Sequence, residues 1–191
     1  MPQVANVLNT QGQDISAMIN TAAKKYDLDA VHLLGLLIAE SGLNPLAERW
    51  GRETADAKAA IIAGDVPTLM GIIKRAWPDI SFSYSQRIVL YHDVGNHSPS
   101  LNNIMAVRDA VFADPAGDIT AAARRLAGNF NHPTCDGTIL SALTIYNAGS
   151  DRRGDVTWMA AWAGNVASYE RALAEADKYA VVGPTREFEI E

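Results

Sequence analysis

The chain has 191 residues, of which 48% are hydrophobic, 20% charged and 7% aromatic, a composition that excludes a disordered or fibrous protein. Sixteen basic and twenty-two acidic residues leave a net charge of −6, which argues against a partner held mainly through phosphates and makes nucleic acid a poor candidate. Cys135 is the sole cysteine, so no internal disulfide can form, and a chain of this length buries about 70% of its unfolded surface without needing a disulfide or metal for stability.

The opening residues, MPQVANVLNTQGQD, hold neither a basic stretch nor an apolar core of signal-peptide length and are expected to be a polar leader. No later run reaches the roughly 18 apolar residues of a membrane span. The expectation is a protein made in the cytoplasm without a signal peptide and without stable membrane insertion.

Apolar spacing is helical almost throughout, and no segment alternates as a half-buried strand does, which predicts an all-α protein. The first helix is expected over 15–26, and the second over Ala30–Ser41, with Asp29 as N-cap and with Gly42 and Pro45 closing it. Thr54–Ala63 follows, then a helix over 67–77 with Pro67 in its first turn. A short helix is expected over 85–92, a loop over 94–99, and a helix over Leu101–Ala113 with Ile104, Val107 and Val111 on one face. Asp118 is expected to cap a helix over 119–127 whose buried stripe is Ile119, Ala122, Ala123 and Leu126. After a loop over 128–137 comes a helix over 138–148, a second loop over 149–154, and two final helices over 155–163 and 165–179. Residues 1–180 are expected to form one domain, and 181–191 a mobile tail.

Glu40 is the most informative position, because Leu33, Leu36, Leu37 and Glu40 lie at i, i+3, i+4 and i+7. Apolar neighbours and the negative end of the helix dipole both disfavour a carboxylate there and should raise its pKa, as a general acid requires. From position alone, the commoner reading is a half-exposed glutamate whose stem covers apolar surface.

Glu40 opens the string ESGLNP, and SYSQ follows at 83–86 and IYNAG at 145–149. In this order the three strings resemble the soluble-type lytic transglycosylases and the related goose-type lysozymes, over 15–179 of the chain. The resemblance implies a lysozyme-like helical fold, with an inserted helical segment around 47–80 that adds two helices. It makes Glu40 the catalytic acid/base and Tyr146 the tyrosine close to it. Ser41, Gln86 and Asn147 become substrate-binding residues, and the tyrosine of the 165–169 segment resembles the end of the family's core. Two departures stand out: Ser83 replaces the glycine that usually opens the glutamine segment, although serine resists positive φ; and Ile145 replaces the alanine before the tyrosine.

The implied activity is cleavage of the β-1,4 bond between N-acetylmuramic acid and N-acetylglucosamine in peptidoglycan, with formation of a 1,6-anhydro end and no cofactor or metal. The rival is a hydrolytic lysozyme in which a second carboxylate positions water, with Glu48, Glu53, Asp79 and Asp93 available. A different class is a non-catalytic lysozyme-like module that binds glycan or builds a virion. Delivery to the cell wall would require release by a membrane-permeabilising partner, a phage particle or a secretion machine; a phage lysin fits best.

Other constellations are weaker. His92, Asp93 and His97 lack the spacing of ligands on one helix face and read as a polar loop. His132 and Cys135 suggest a cysteine peptidase, without the surrounding sequence such a nucleophile needs. Trp158 and Trp162 could offer a platform for a sugar ring, although core packing is the commoner role.

Overall fold

The computed structural model describes residues 2–76, 79–86 and 100–181. Among them the fold is all-α, as the apolar spacing predicts: α1 (Ser16–Lys25), α2 (Ala30–Ser41), α3 (Thr54–Ala63), α4 (Val66–Ala76), α5 (Leu101–Ala113), α6 (Pro115–Phe130), α7 (Ile139–Ala148) and α8 (Val156–Ala176). Four very short strands form two antiparallel pairs, β1 (Gln3–Val4) with β4 (Ala180–Val181) and β2 (Glu48–Trp50) with β3 (Ile80–Phe82). The chain divides into two compact units, one of Met1–Ala39 with Ile119–Glu191 and the other of Glu40–Asp118.

In the first unit the buried residues include Val4, Val7, Ile15, Ile19 and the α2 stripe of Leu33, Leu34, Leu36 and Leu37. Asp29 caps α2 as expected, its Oδ1 accepting the Val31 N–H at 2.8 Å. Gly35 lets α2 approach α8 closely, since a Cβ there would lie 2.7 Å from Leu173 Cδ2. The α6 stripe of Ile119, Ala122, Ala123 and Leu126 is fully buried.

In the second unit, Trp50, Leu69, Ile72, Ile73, Ile80, Phe82 and Ile104 form one apolar cluster, with Val107 and Val111 packed against it. Phe82 stacks edge-on against both Trp50 and Phe112, with centroids 5.6 and 5.9 Å away. The 47–80 segment, expected to be helical, contains two helices, α3 and α4, and also the β2–β3 pair, whose three-residue strands are too short to register as alternation.

Several boundaries differ from expectation for local reasons. The leader is folded: Asn20 closes both backbone groups of Val4, at 2.9 and 2.8 Å, and Val7 is buried. Asp118 is not the cap of α6. The helix begins at Pro115, and Asp114 accepts the Gly117 N–H at 2.9 Å, leaving Asp118 inside the first turn. That helix also continues through Gly128 to Phe130. The two helices expected over 155–179 are one, α8, which runs through Gly164 to Ala176. Val181, expected in a mobile tail, is paired in β4. Ser85 and Gln86 lie in a turn and not a helix; the remainder of that expected helix, the 94–99 loop and 182–191 lie outside the described residues.

Candidate active site

Glu40 and Ser41 end α2, and the helix stops there because Gly42 and Leu43 both take left-handed backbone, with φ of 59° and 63°. Glu40 is half-buried and follows directly on the buried leucine stripe. The next turn is fixed by Asn44, whose N–H donates to Ser41 O at 3.2 Å and whose Oδ1 accepts the Leu46 N–H at 3.0 Å.

The segment Ser81–Gln86 belongs to the same unit as Glu40. Ser83 has φ of 65°, so the position where the resembled family carries glycine adopts the conformation that glycine favours. Its N–H donates to Ala47 O at 2.8 Å, extending the β2–β3 pairing, while its buried Oγ has no hydrogen-bond partner among the described residues. Gln86, with φ of 42°, is folded back on the turn: its Oε1 accepts from Ser81 Oγ at 2.9 Å and its Nε2 donates to Ser83 O at 3.4 Å. Between them, Ser85 is locked to Asp118, with Oγ to Oδ1 at 2.6 Å and N to Oδ2 at 3.2 Å.

This buried Ser85–Asp118 pair was not anticipated from sequence. The available signal was Asp118 itself, which lies four residues before Ala122 and eight before Leu126, on a stripe that is otherwise apolar. A charge in such a place needs a buried partner.

Two carboxylates considered for positioning water are engaged elsewhere. Glu48 accepts from Arg108 Nε at 2.6 Å and from Trp50 Nε1 at 3.3 Å, and its side chain is 7% exposed. Glu53 forms a two-point pair with Arg75 at 2.9 and 2.7 Å, and that bond holds its carboxyl below the ordinary value. Asp79 is exposed, and Asp93 lies outside the described residues.

Tyr146 and Asn147 belong to the other unit, in the last turn of α7, which Thr138 caps at its start and the left-handed Gly149 (φ 77°) closes. Tyr146 is buried, with the Arg125 guanidinium 4.5 Å from its ring centre and Arg125 Nη2 donating to its carbonyl at 2.8 Å. Arg125 was not singled out from sequence, since one arginine on an amphipathic helix carries no signal of its own. Asn147 is exposed. The loop after α7 is pinned by Asp151, which accepts from Ser141 Oγ at 2.5 Å and from Arg153 at 2.7 Å. Tyr169 is buried in α8.

The remaining candidates resolve simply. His132 Nδ1 accepts from Thr134 N at 3.2 Å and lies 2.9 Å from Thr134 Oγ1, so this nitrogen is occupied within its own loop. His92 and His97 lie outside the described residues. Trp158 and Trp162 are not core residues: both are half-buried and stacked on one another.

No family model matches the chain, and no curated protein or solved structure matches it.

Proposed function

We propose that the protein is a peptidoglycan lytic transglycosylase of lysozyme-like type, with Glu40 as its acid/base. The observation that carries this reading is the backbone at Ser83. The three-string resemblance requires a glycine-like conformation at that position, a serine resists it, and the residue is left-handed nonetheless. Glu40, half-buried at the end of a helix whose preceding leucines are buried, gives further support.

In this mechanism protonated Glu40 delivers its proton to the glycosidic oxygen as the bond to C1 of N-acetylmuramic acid breaks. The C6 hydroxyl of the same sugar then attacks C1 and gives its proton to the Glu40 carboxylate. The products are a 1,6-anhydro end and a free 4-hydroxyl, and the acid is regenerated. Because the nucleophile is within the substrate, its effective concentration is high and no second protein carboxylate is needed. The engagement of Glu48 and Glu53 with arginines favours this route over hydrolysis. The roles of Tyr146 as the tyrosine that serves the acid/base, and of Ser41, Gln86 and Asn147 in sugar binding, rest on the three-string resemblance alone. Delivery to the wall is by a phage particle, a membrane-permeabilising partner or a secretion machine.

Digestion of purified peptidoglycan followed by mass spectrometry tests the proposal. Anhydro-muramic ends, lost in Glu40→Gln with circular dichroism and melting unchanged, are the expected result. Reducing ends would identify a hydrolase, and undiminished lysis by Glu40→Gln would remove Glu40 from the chemistry.

A further inference from the structure

The apolar stripe of α8 outruns the core it serves. Val166, Tyr169, Ala172 and Ala176 are buried, and stepping back from Val166 by four and by four again reaches Trp162 and Trp158. No residue of 156–165 is buried, and Val156 is 86% exposed. The two indoles lie parallel, at an interplanar angle of 4° with ring centroids 5.5 Å apart. Stacking holds them flat and costs little further side-chain entropy on binding.

Because the rings are stacked on one another, each half-buried indole keeps one outer face, and such an uncharged ring face matches the C–H face of a pyranose ring. It also suits a chain of net charge −6, which gains nothing from bulk attraction to an anionic wall. Polar groups sit at the same place: the Asp155 carboxylate, which caps α8 by accepting the Trp158 backbone N–H at 3.0 Å, is paired with Arg152. Helices α7 and α8 pack together and are joined by the short 149–155 connection. Asn147 in the last turn of α7 and Trp158 in the first turn of α8 therefore occupy the same end of that hairpin.

We infer that Trp158 and Trp162 form an accessory saccharide platform that takes an N-acetylhexosamine ring of the β-1,4-linked strand contacted by Asn147. This rests on the glycan reading above but is measured without turnover. The probe is the β-1,4-linked N-acetylglucosamine hexamer, titrated calorimetrically into the full chain. Trp158→Ala and Trp162→Ala are each expected to weaken hexamer binding about tenfold, and Trp162→Phe, which keeps a ring, to weaken it less. In the unmodified protein the hexamer should shield Trp158 and Trp162 from N-bromosuccinimide, which needs no variant to fold.

Unchanged hexamer affinity in both alanine variants overturns the inference. So does the absence of hexamer binding at millimolar concentration, or failure of the hexamer to shield the two indoles. Glu40→Gln should abolish lysis yet bind the hexamer as the wild type does. A failure of the cleavage reading and a failure of the platform are thereby told apart.

Discussion

Ser83 carries two costs at once. Left-handed backbone at a residue with a Cβ costs about 1 kcal/mol, and its buried hydroxyl lacks a partner among the described residues, which adds about 1 kcal/mol. Ser83→Gly removes both and is expected to raise the unfolding free energy by about 1–2 kcal/mol, read from urea melts. An unchanged or lower midpoint would mean that the hydroxyl is satisfied after all. A second residue-scale outcome concerns Glu48, whose side chain is 7% exposed. Arg108→Ala leaves that carboxylate buried without its cation and is expected to cost about 3 kcal/mol, whereas replacing both partners by leucine or methionine costs much less. Thermal melts of the single and double variants check this. Sequence spacing placed Glu40 at the end of its stripe and Asp29 at its cap, because both are consequences of local periodicity. It did not reveal that Asp118 meets Ser85 or that Arg125 covers Tyr146. Those pairs join residues 33 and 21 positions apart, and no local pattern encodes such partners.

At the scale of elements, α8 shows where local rules mislead. Gly164 reads as a break, yet the helix crosses it, because a buried stripe on its C-terminal half and an N-cap at Asp155 hold both ends in helix. A Cβ at Gly164 would meet nothing within 4 Å. Gly164→Ala is therefore expected to stabilise by about 1 kcal/mol, through helix propensity alone. A loss of stability on melting would show that the glycine is needed there. The connection after α7 loses stability in acid. Burial raises the Asp151 carboxyl, and hydrogen bonds from Arg153 and Ser141 more than offset that, leaving it below the ordinary 3.8. A lowered folded-state value stabilises fully above the unfolded value and is lost as pH falls through the folded one. Melting temperature in Asp151→Asn should thus lie below wild type at neutral pH, and the gap should close only as pH drops below about 3.8. The strands β1 to β4 were invisible in sequence because two or three residues cannot display a period of two.

For the molecule as a whole, the net charge of −6 bears on how the proposed enzyme meets its substrate. Binding led by charge weakens steeply with salt; binding led by stacking and hydrogen bonds does not. Lysis of purified peptidoglycan is therefore expected to change by less than about twofold across moderate salt concentrations. The all-α class and the helices α3 and α4 could be read from apolar spacing. The division into two units could not, since it falls inside continuous helices, at Ala39 and at Asp118.

That division has a kinetic consequence. Glu40–Asp118 is contiguous, whereas the other unit needs its first 39 residues and everything from Ile119 onward, with β1 waiting for β4. Closing so long a loop is entropically slow compared with assembling neighbours along the chain. During refolding, amides of α3 and α4 should gain protection in pulsed hydrogen exchange before those of Val4 and Val181. On a ribosome, the inserted unit would be complete while the unit that encloses it in sequence still lacked its final strand.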